Sequence, residues 1–389
     1  MFRKTIFWSH LISGLLAGLV IFMMSLTGVL LTYERQLLHW FEQSHYVPAA
    51  EQSSTPATLD ALLALGRLHA PELEPSSITV LNHPGAPVTL SAGRAGSLNL
   101  HPYTGEPMPS GTPRLEAFFS AVTGWHRWFN LSGESRATAR AITGASNLVF
   151  LFLLISGIYL WFPRIWRWTM FKVRLLFVKN PPSSQARDFN WHHVMGFWCL
   201  IPLVFIVATA TVFNYSWANN LVYQIYGEEA PQRGGGGRAP QAALTQGAEM
   251  ALNENPGNSY LSLDQLMLAA RQHTSSRLGD WHSLSLNLPT HNADTVEVAV
   301  NQSLGGQPQK QYTLSLNRRS GSLDAVSGLS DRSPGSQTRS IIRFLHTGEV
   351  LGIWGQTLAG LVSLASLFMV WTGFALAYRR LIQPLFRKN

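Results

Sequence analysis

The chain has 389 residues, 46% of them hydrophobic and 13% charged, a balance that fits a protein part membrane and part soluble. Its formal charge of +8 does not mark a nucleic-acid binder, because the basic residues collect beside apolar spans rather than on one soluble segment. One cysteine, Cys199, falls inside an apolar span, so the polar segments must be stable without disulfides.

In chain order, the first apolar run covers residues 6–33, longer than the roughly 18 to 20 residues needed to cross a bilayer. Arg3 and Lys4 precede it as they would a secretory signal, but no small-residue cleavage site follows before Tyr33 and Glu34, so a retained helix is expected. Residues 34–140 are polar enough to fold outside the bilayer. Within them, 58–69 has helical periodicity, and Ser77 to Leu81 and Pro87 to Leu90 alternate as strands do. A second span is expected at 141–163, then a short basic loop at 164–190 carrying Arg164, Arg167, Lys172, Arg174, Lys179 and Arg187. The third span, 191–217, is expected as one unbroken helix. The second polar insertion, 218–345, holds a low-complexity linker at 228–245 that includes Arg233 to Arg238, a helix at 262–273 and strands at Val296 to Val300 and Gln311 to Leu316. The fourth span and its lead-in occupy 346–378, and 379–389 form a tail with Arg379, Arg380, Arg387 and Lys388.

The halves repeat. Thr58-Leu59-Asp60-Ala61-Leu62 answers Ser262-Leu263-Asp264-Gln265-Leu266, and Leu98-Asn99-Leu100 answers Leu314-Ser315-Leu316; Ser156-Gly157 answers Thr372-Gly373. The fold class expected is therefore a membrane protein with four transmembrane α-helices in two tandem halves, each half enclosing a small external α+β domain with its own sheet. Basic residues stay with the cytoplasm, which puts both termini and the 164–190 loop inside and the two insertions outside; Arg127, Arg136, Arg140, Arg339 and Arg343 run against that bias, but they border long translocated segments where it counts for less.

Four histidines stand at the edges of these spans, where an ionisable group is costly and marks function. His10, Gly14 and Gly18 recur at four-residue spacing and share a helix face beside a groove that a flat macrocycle fits; His192 and Gly196 repeat the spacing in span three. His193 is the rival ligand, turned about 100° from His192 on a helix of 3.6 residues per turn. His126 precedes span two and His346 span four, with Arg127 and Arg343 nearby to pair with heme propionates. Paired placement points to two b-type hemes per chain, held by His10 with His192 and by His126 with His346. The competing explanations are helix packing for the glycines and interfacial anchoring for the aromatic and basic residues, Trp125 and Trp128 included. The spans show neither central carboxylates nor broken helices, which counts against a transporter. There is no Ser/His/Asp constellation, no zinc spacing and no P-loop, since Gly234 to Gly237 lacks the following Lys-Ser/Thr.

The motifs His10-Leu11-Ile12-Ser13-Gly14, Trp125-His126-Arg127, Ser156-Gly157-Ile158-Tyr159-Leu160-Trp161-Phe162-Pro163-Arg164, His192-His193-Val194-Met195-Gly196 and Leu345-His346-Thr347-Gly348, in that order, resemble the PepSY-associated transmembrane proteins, also called iron-regulated membrane proteins, and among them the FoxB-type siderophore reductases. The resemblance covers nearly the whole length. It implies two periplasmic PepSY-like domains, residence in the bacterial inner membrane, the four histidines as heme ligands, and reduction of a ferric siderophore in the periplasm. The electron donor, a quinol or a cytoplasmic reductase, has no fingerprint here. A regulatory membrane module acting on a peptidase, or a transporter of iron or siderophore, is the alternative class.

Overall fold

In a computed structural model the described residues are 1–48, 55–231, 260–290 and 293–386. The helices in chain order are α1 (Phe2–Leu31), α2 (Glu34–Gln43), α3 (Leu59–His69), α4 (Pro113–Trp128), α5 (Ser135–Trp161), α6 (Trp168–Leu175), α7 (Ser184–Trp198), α8 (Leu200–Asn214), α9 (Ser216–Gln224), α10 (Leu263–Arg277), α11 (Pro334–His346), α12 (Gly352–Leu381) and α13 (Gln383–Phe386). The strands are β1 (Ser77–Leu81), β2 (Val88–Ser91), β3 (Ser97–Leu100), β4 (Ser283–Asn287), β5 (Thr295–Asn301), β6 (Gln311–Asn317) and β7 (Leu323–Ser327). They form two compact units: residues 1–34, 114–229 and 338–389, and residues 35–113 and 230–337.

The first unit is helical. Among the described residues three helices are long and apolar enough to cross a membrane, or four spans if α7 and α8 count as one. Leu16, Leu19, Ile155, Ile201 and Leu361 are exposed on its outside, as a lipid-facing surface requires. Inside, polar groups tie the helices together: Ser25 Oγ donates to Ser366 Oγ at 2.9 Å between α1 and α12, and Asn147 Nδ2 donates to Val207 O and Thr211 Oγ1, both at 3.0 Å, between α5 and α8. Buried Asp188 on α7 pairs with Arg187 at 2.9 Å and with Arg379 of α12. Arg3 Nη2 donates to Leu160 O and Phe162 O, and Arg380 lies over the rings of Phe7 and Trp8. The N-terminus, the α5–α7 connection and the end of α12 therefore gather at one end of this unit.

One expectation is corrected here. The third span is not one helix, because α7 and α8 meet at Cys199 with a bend of 67°. Pro202 explains it: proline has no N–H to give the carbonyl four residues back, and its ring clashes with that carbonyl, which belongs to Trp198, the last residue of α7. The helix restarts with Pro202 in its first turn, where the missing donor costs nothing.

The second unit corrects another. Instead of two small sheets, the strands of both insertions form one seven-stranded antiparallel sheet, ordered β3-β2-β1-β4-β5-β6-β7. β1 and β4 pair along their length, Ser77 to Asn287 through Leu81 to Ser283, with Thr79 Oγ1 donating to Ser285 Oγ at 2.9 Å at the centre. Each would otherwise be an edge strand with unpaired backbone groups, so joining them removes two edges at once. Alternation puts Ile78, Leu90, Leu100, Leu286, Val298 and Leu316 on one buried face, covered by α3 and α10. The two helices cap each other across the repeat: Leu59 N donates to Asp264 Oδ2 at 2.9 Å, and Leu263 N to Asp60 Oδ2 at 3.0 Å. The seventh strand has a stunted counterpart: Leu316 pairs with Leu323, whereas its equivalent Leu100 makes an isolated bridge to Pro107, closed by His101 N donating to Glu106 O and Met108 N to Asn99 O, both at 2.8 Å. Of the glycine-rich linker, residues 232–245 lie outside the described residues.

Candidate functional site

All four sequence-derived histidines belong to the helical unit, and all four are held in the same way. His10 Nδ1 is 2.8 Å from Ser156 Oγ on α5, and the Ser156 hydroxyl donates its own proton to Phe152 O at 2.7 Å. The serine oxygen must then accept, so Nδ1 carries the proton. His126 Nδ1 stands 2.8 Å from Thr27 Oγ1 on α1, whose proton goes to Met23 O at 2.8 Å. His192 Nδ1 donates to Met369 O and Thr372 Oγ1 on α12, both at 3.1 Å, and His346 Nδ1 donates to Ile206 O at 2.9 Å and lies 3.3 Å from Thr209 Oγ1 on α8. The same tautomer is fixed four times. Each Nε2 keeps its lone pair and has no protein partner among the described residues.

The supports repeat with the chain. Ser156-Gly157 and Thr372-Gly373 are the repeat-equivalent pairs already visible in the sequence, and each glycine backs the ring its neighbour's hydroxyl holds: a Cβ at Gly157 would lie 3.5 Å from His10 Cε1, and one at Gly373 3.6 Å from His192 Cε1. Thr27 follows His10 by the same interval as Thr209 follows His192. Sequence reasoning did not assign these hydroxyls, although that register was available to find them.

The structure brings the histidines together in pairs. His126 and His346 have ring centroids 6.3 Å apart, inclined at 63°. That geometry is within the range of an edge-to-face ring pair, and it also leaves room for one metal ion to take a nitrogen from each ring at roughly 2 Å. Two tight turns set it. His346 ends α11 just before Gly348, whose φ of +77° and backbone contact with Gly355 admit no side chain. His126 lies before Phe129 and Asn130, both left-handed, with Asn130 N donating to Gly124 O at 2.9 Å. Arg127 stands over Trp128 at 4.8 Å and Arg343 over Phe344 at 5.4 Å, and neither has a carboxylate partner among the described residues. Burial, then the charges of Arg140, Arg136 and Arg343, pushes the Arg127 guanidinium below its ordinary value, so an incoming anion would relieve it.

His10 and His192 line one cavity of about 950 Å³, at the upper end of ligand pockets, which run from roughly 300 to 1,000 Å³. Gly14, Gly18, Gly157, Gly196 and Gly373 give it smooth walls. His193 is in it too: its Nδ1 donates to Phe189 O of its own helix at 2.8 Å, and its ring stacks 3.9 Å from Phe189. It does not leave the site, as its 100° offset suggested. What separates it from His192 is support, since no neighbouring helix holds it. No group of three or more His, Cys, Asp or Glu that would hold a bare metal ion occurs among the described residues. Paired histidines in a glycine-walled cavity that basic side chains also line suit a metal that brings its own ligands and negative charge.

A comparison with protein families matches residues 7–380 to the PepSY-associated TM region. No curated protein matches the chain.

Proposed function

The chain belongs to the family of PepSY-associated transmembrane proteins, and from that premise we propose that it is a di-heme oxidoreductase that carries electrons across the bacterial inner membrane and reduces a ferric siderophore in the periplasm, in the manner of FoxB-type reductases. The observation that carries the reading is the fourfold tautomer: His10, His192, His126 and His346 each have Nδ1–H engaged and Nε2 available, as an outer hydrogen bond prepares a metal-ligating imidazole. Bound there, heme b supplies a reversible one-electron carrier. The chain's own residues orient the imidazoles, keep water away with apolar helices, and offer Arg127 and Arg343 to carboxylates at the outer pair.

The substrate's Fe(III) gains one electron from a quinol or a cytoplasmic reductase and becomes Fe(II), which hard oxygen donors hold less tightly, so iron leaves an intact chelator. Arg3, Lys4, the 164–190 loop and Arg379 gather at one end of the helical unit, which supports cytoplasmic termini and periplasmic insertions by the positive-inside rule. The test is the absorption spectrum of detergent-purified protein, oxidised and then reduced, with heme counted per chain. About two hemes with sharp reduced bands are expected; a folded, colourless protein expressed with ample heme refutes the reading.

A second reading has one observation in its favour. The 67° bend between α7 and α8 is the broken helix that a transporter of iron or siderophore would use, so the absence of broken spans no longer counts against it. It predicts substrate accumulation in vesicles by colourless protein.

A further inference from the structure

The cavity around His10 and His192 is one-sided in charge. Arg3, Lys4, Arg164, Arg174 and Arg380 line it, and no Asp or Glu does. Arg3 is engaged by the carbonyls of Leu160 and Phe162, and Arg380 by the rings of Phe7 and Trp8. Arg174 is different. Its Nε and Nη1 are buried and have no hydrogen-bond partner among the described residues, a costly state for a guanidinium. It lies 5.9 Å from the Phe189 ring, whose centroid is 3.9 Å from that of His193.

The backbone that carries the side chain is also pinned. Asn190 Nδ2 on α7 donates to Val173 O at 2.6 Å and Leu176 O at 2.9 Å, and Trp198 Nε1 donates to Leu175 O at 2.9 Å. Three bonds from α7 thus pin the last turn of α6 around Arg174. Burial, then the charge of Arg3, pushes the guanidinium below its ordinary value. A basic loop needs no such anchoring to satisfy the positive-inside bias; a binding residue does.

We propose that Arg174 is the carboxylate clamp of this cavity, gripping the acidic edge of a flat amphiphile whose apolar body lies between His10 and His192. The inference rests on the heme reading above and names the residue that would receive the inner propionates. A neutral quinol would leave Arg174 unpaired, so the charge favours a carboxylate-bearing macrocycle.

The test uses the full chain in detergent, depleted of heme and carrying His346→Ala so that only the inner pair binds. It is titrated with iron protoporphyrin IX and with its dimethyl ester, which lacks the carboxylates. Arg174→Ala is expected to weaken binding of the free acid about ten- to a hundredfold and to shrink the preference for acid over ester by the same factor, while the bis-imidazole bands keep their positions; Arg174→Lys restores part of the preference. Unchanged affinity and preference in Arg174→Ala overturn the clamp and leave the heme reading standing. Weaker binding of acid and ester alike, unrescued by Lys, also overturns it, since that marks structural damage. If protein with all four histidines takes up no macrocycle, the heme reading and the clamp fall together.

Discussion

Ser156→Ala and Thr372→Val remove repeat-equivalent hydroxyls, yet they should differ in cost. His10 has Ser156 as its one Nδ1 partner, at 2.8 Å, so Ser156→Ala leaves a buried N–H unpaired and the ring free to turn. Such a loss costs about 1–3 kcal/mol, and removing the outer partner of a metal-bound histidine lowers affinity about ten- to a hundredfold. His192 keeps Met369 O at 3.1 Å when Thr372 goes, so Thr372→Val should cost less than about tenfold. The other pair should differ less, because a backbone hydrogen bond to Met24 backs Thr27 for His126 as Ile206 O backs Thr209 for His346. Heme titration of depleted, detergent-purified variants reads the order directly, with thermal stability as the control for folding. Equal losses in Ser156→Ala and Thr372→Val, or a larger loss in Thr372→Val, would show that these hydroxyls do not fix the imidazoles as reasoned.

His126→Ala and His346→Ala should each lose the outer heme and ferric-chelate reduction while keeping the inner heme; a double variant with two hemes and full activity would remove the assignment. Asp60 lies against Asp264, and burial, then that neighbouring charge, holds its carboxyl above the usual range. A raised carboxyl pKa contributes stability that is complete below the unfolded value, about 3.9, and is lost as pH rises through the folded value. Asp60→Asn should therefore raise the melting temperature of the sheet unit at neutral pH and flatten its dependence between mildly acid and neutral pH; a lower melting temperature at pH 7 would contradict this. Gly348→Ala forces a side chain into a left-handed turn and against Gly355, at a cost of at least about 1 kcal/mol, and should lower heme content at the outer pair through His346; full outer heme occupancy would show that the turn does not position the ligand.

Much of this was legible because it depends on local pattern. Thr58 and Ser262 were readable as starts of α3 and α10, and both cap them: Ala61 N donates to Thr58 Oγ1 and Gln265 N to Ser262 Oγ, each at 3.2 Å. Ser77 to Leu81 was readable as β1 from its alternation. What the pattern hid was pairing at a distance. Nothing local in Ser283 to Asn287 tells it to pair with Ser77 to Leu81 rather than to end a separate sheet, because an edge strand and a central strand can share one alternation. The α7–α8 bend was different: Pro202 stood in plain view, but hydropathy averages over it, and only the backbone donor count shows that Trp198 O must lose its partner.

Every paired feature takes one member from each half. His10 and His192 share a cavity, His126 faces His346, β1 pairs with β4, and Asp60 and Asp264 exchange helix caps. A duplicated segment gives this arrangement at low cost in sequence, since a residue placed once to hold an imidazole, such as Ser156, recurs as Thr372 in the geometry its partner needs. On the heme reading proposed above, it also means that neither half would hold a heme by two histidines. Half the chain presents one ligand from each pair and exposes β1 or β4 as an open edge, which favours self-pairing. Expressed alone, the first half should be aggregation-prone and bind at most five-coordinate heme, whereas co-expression of residues 1–180 with 181–389 should restore bis-histidine spectra. Six-coordinate low-spin heme in the isolated first half would refute the cross-half pairing on which both sites depend.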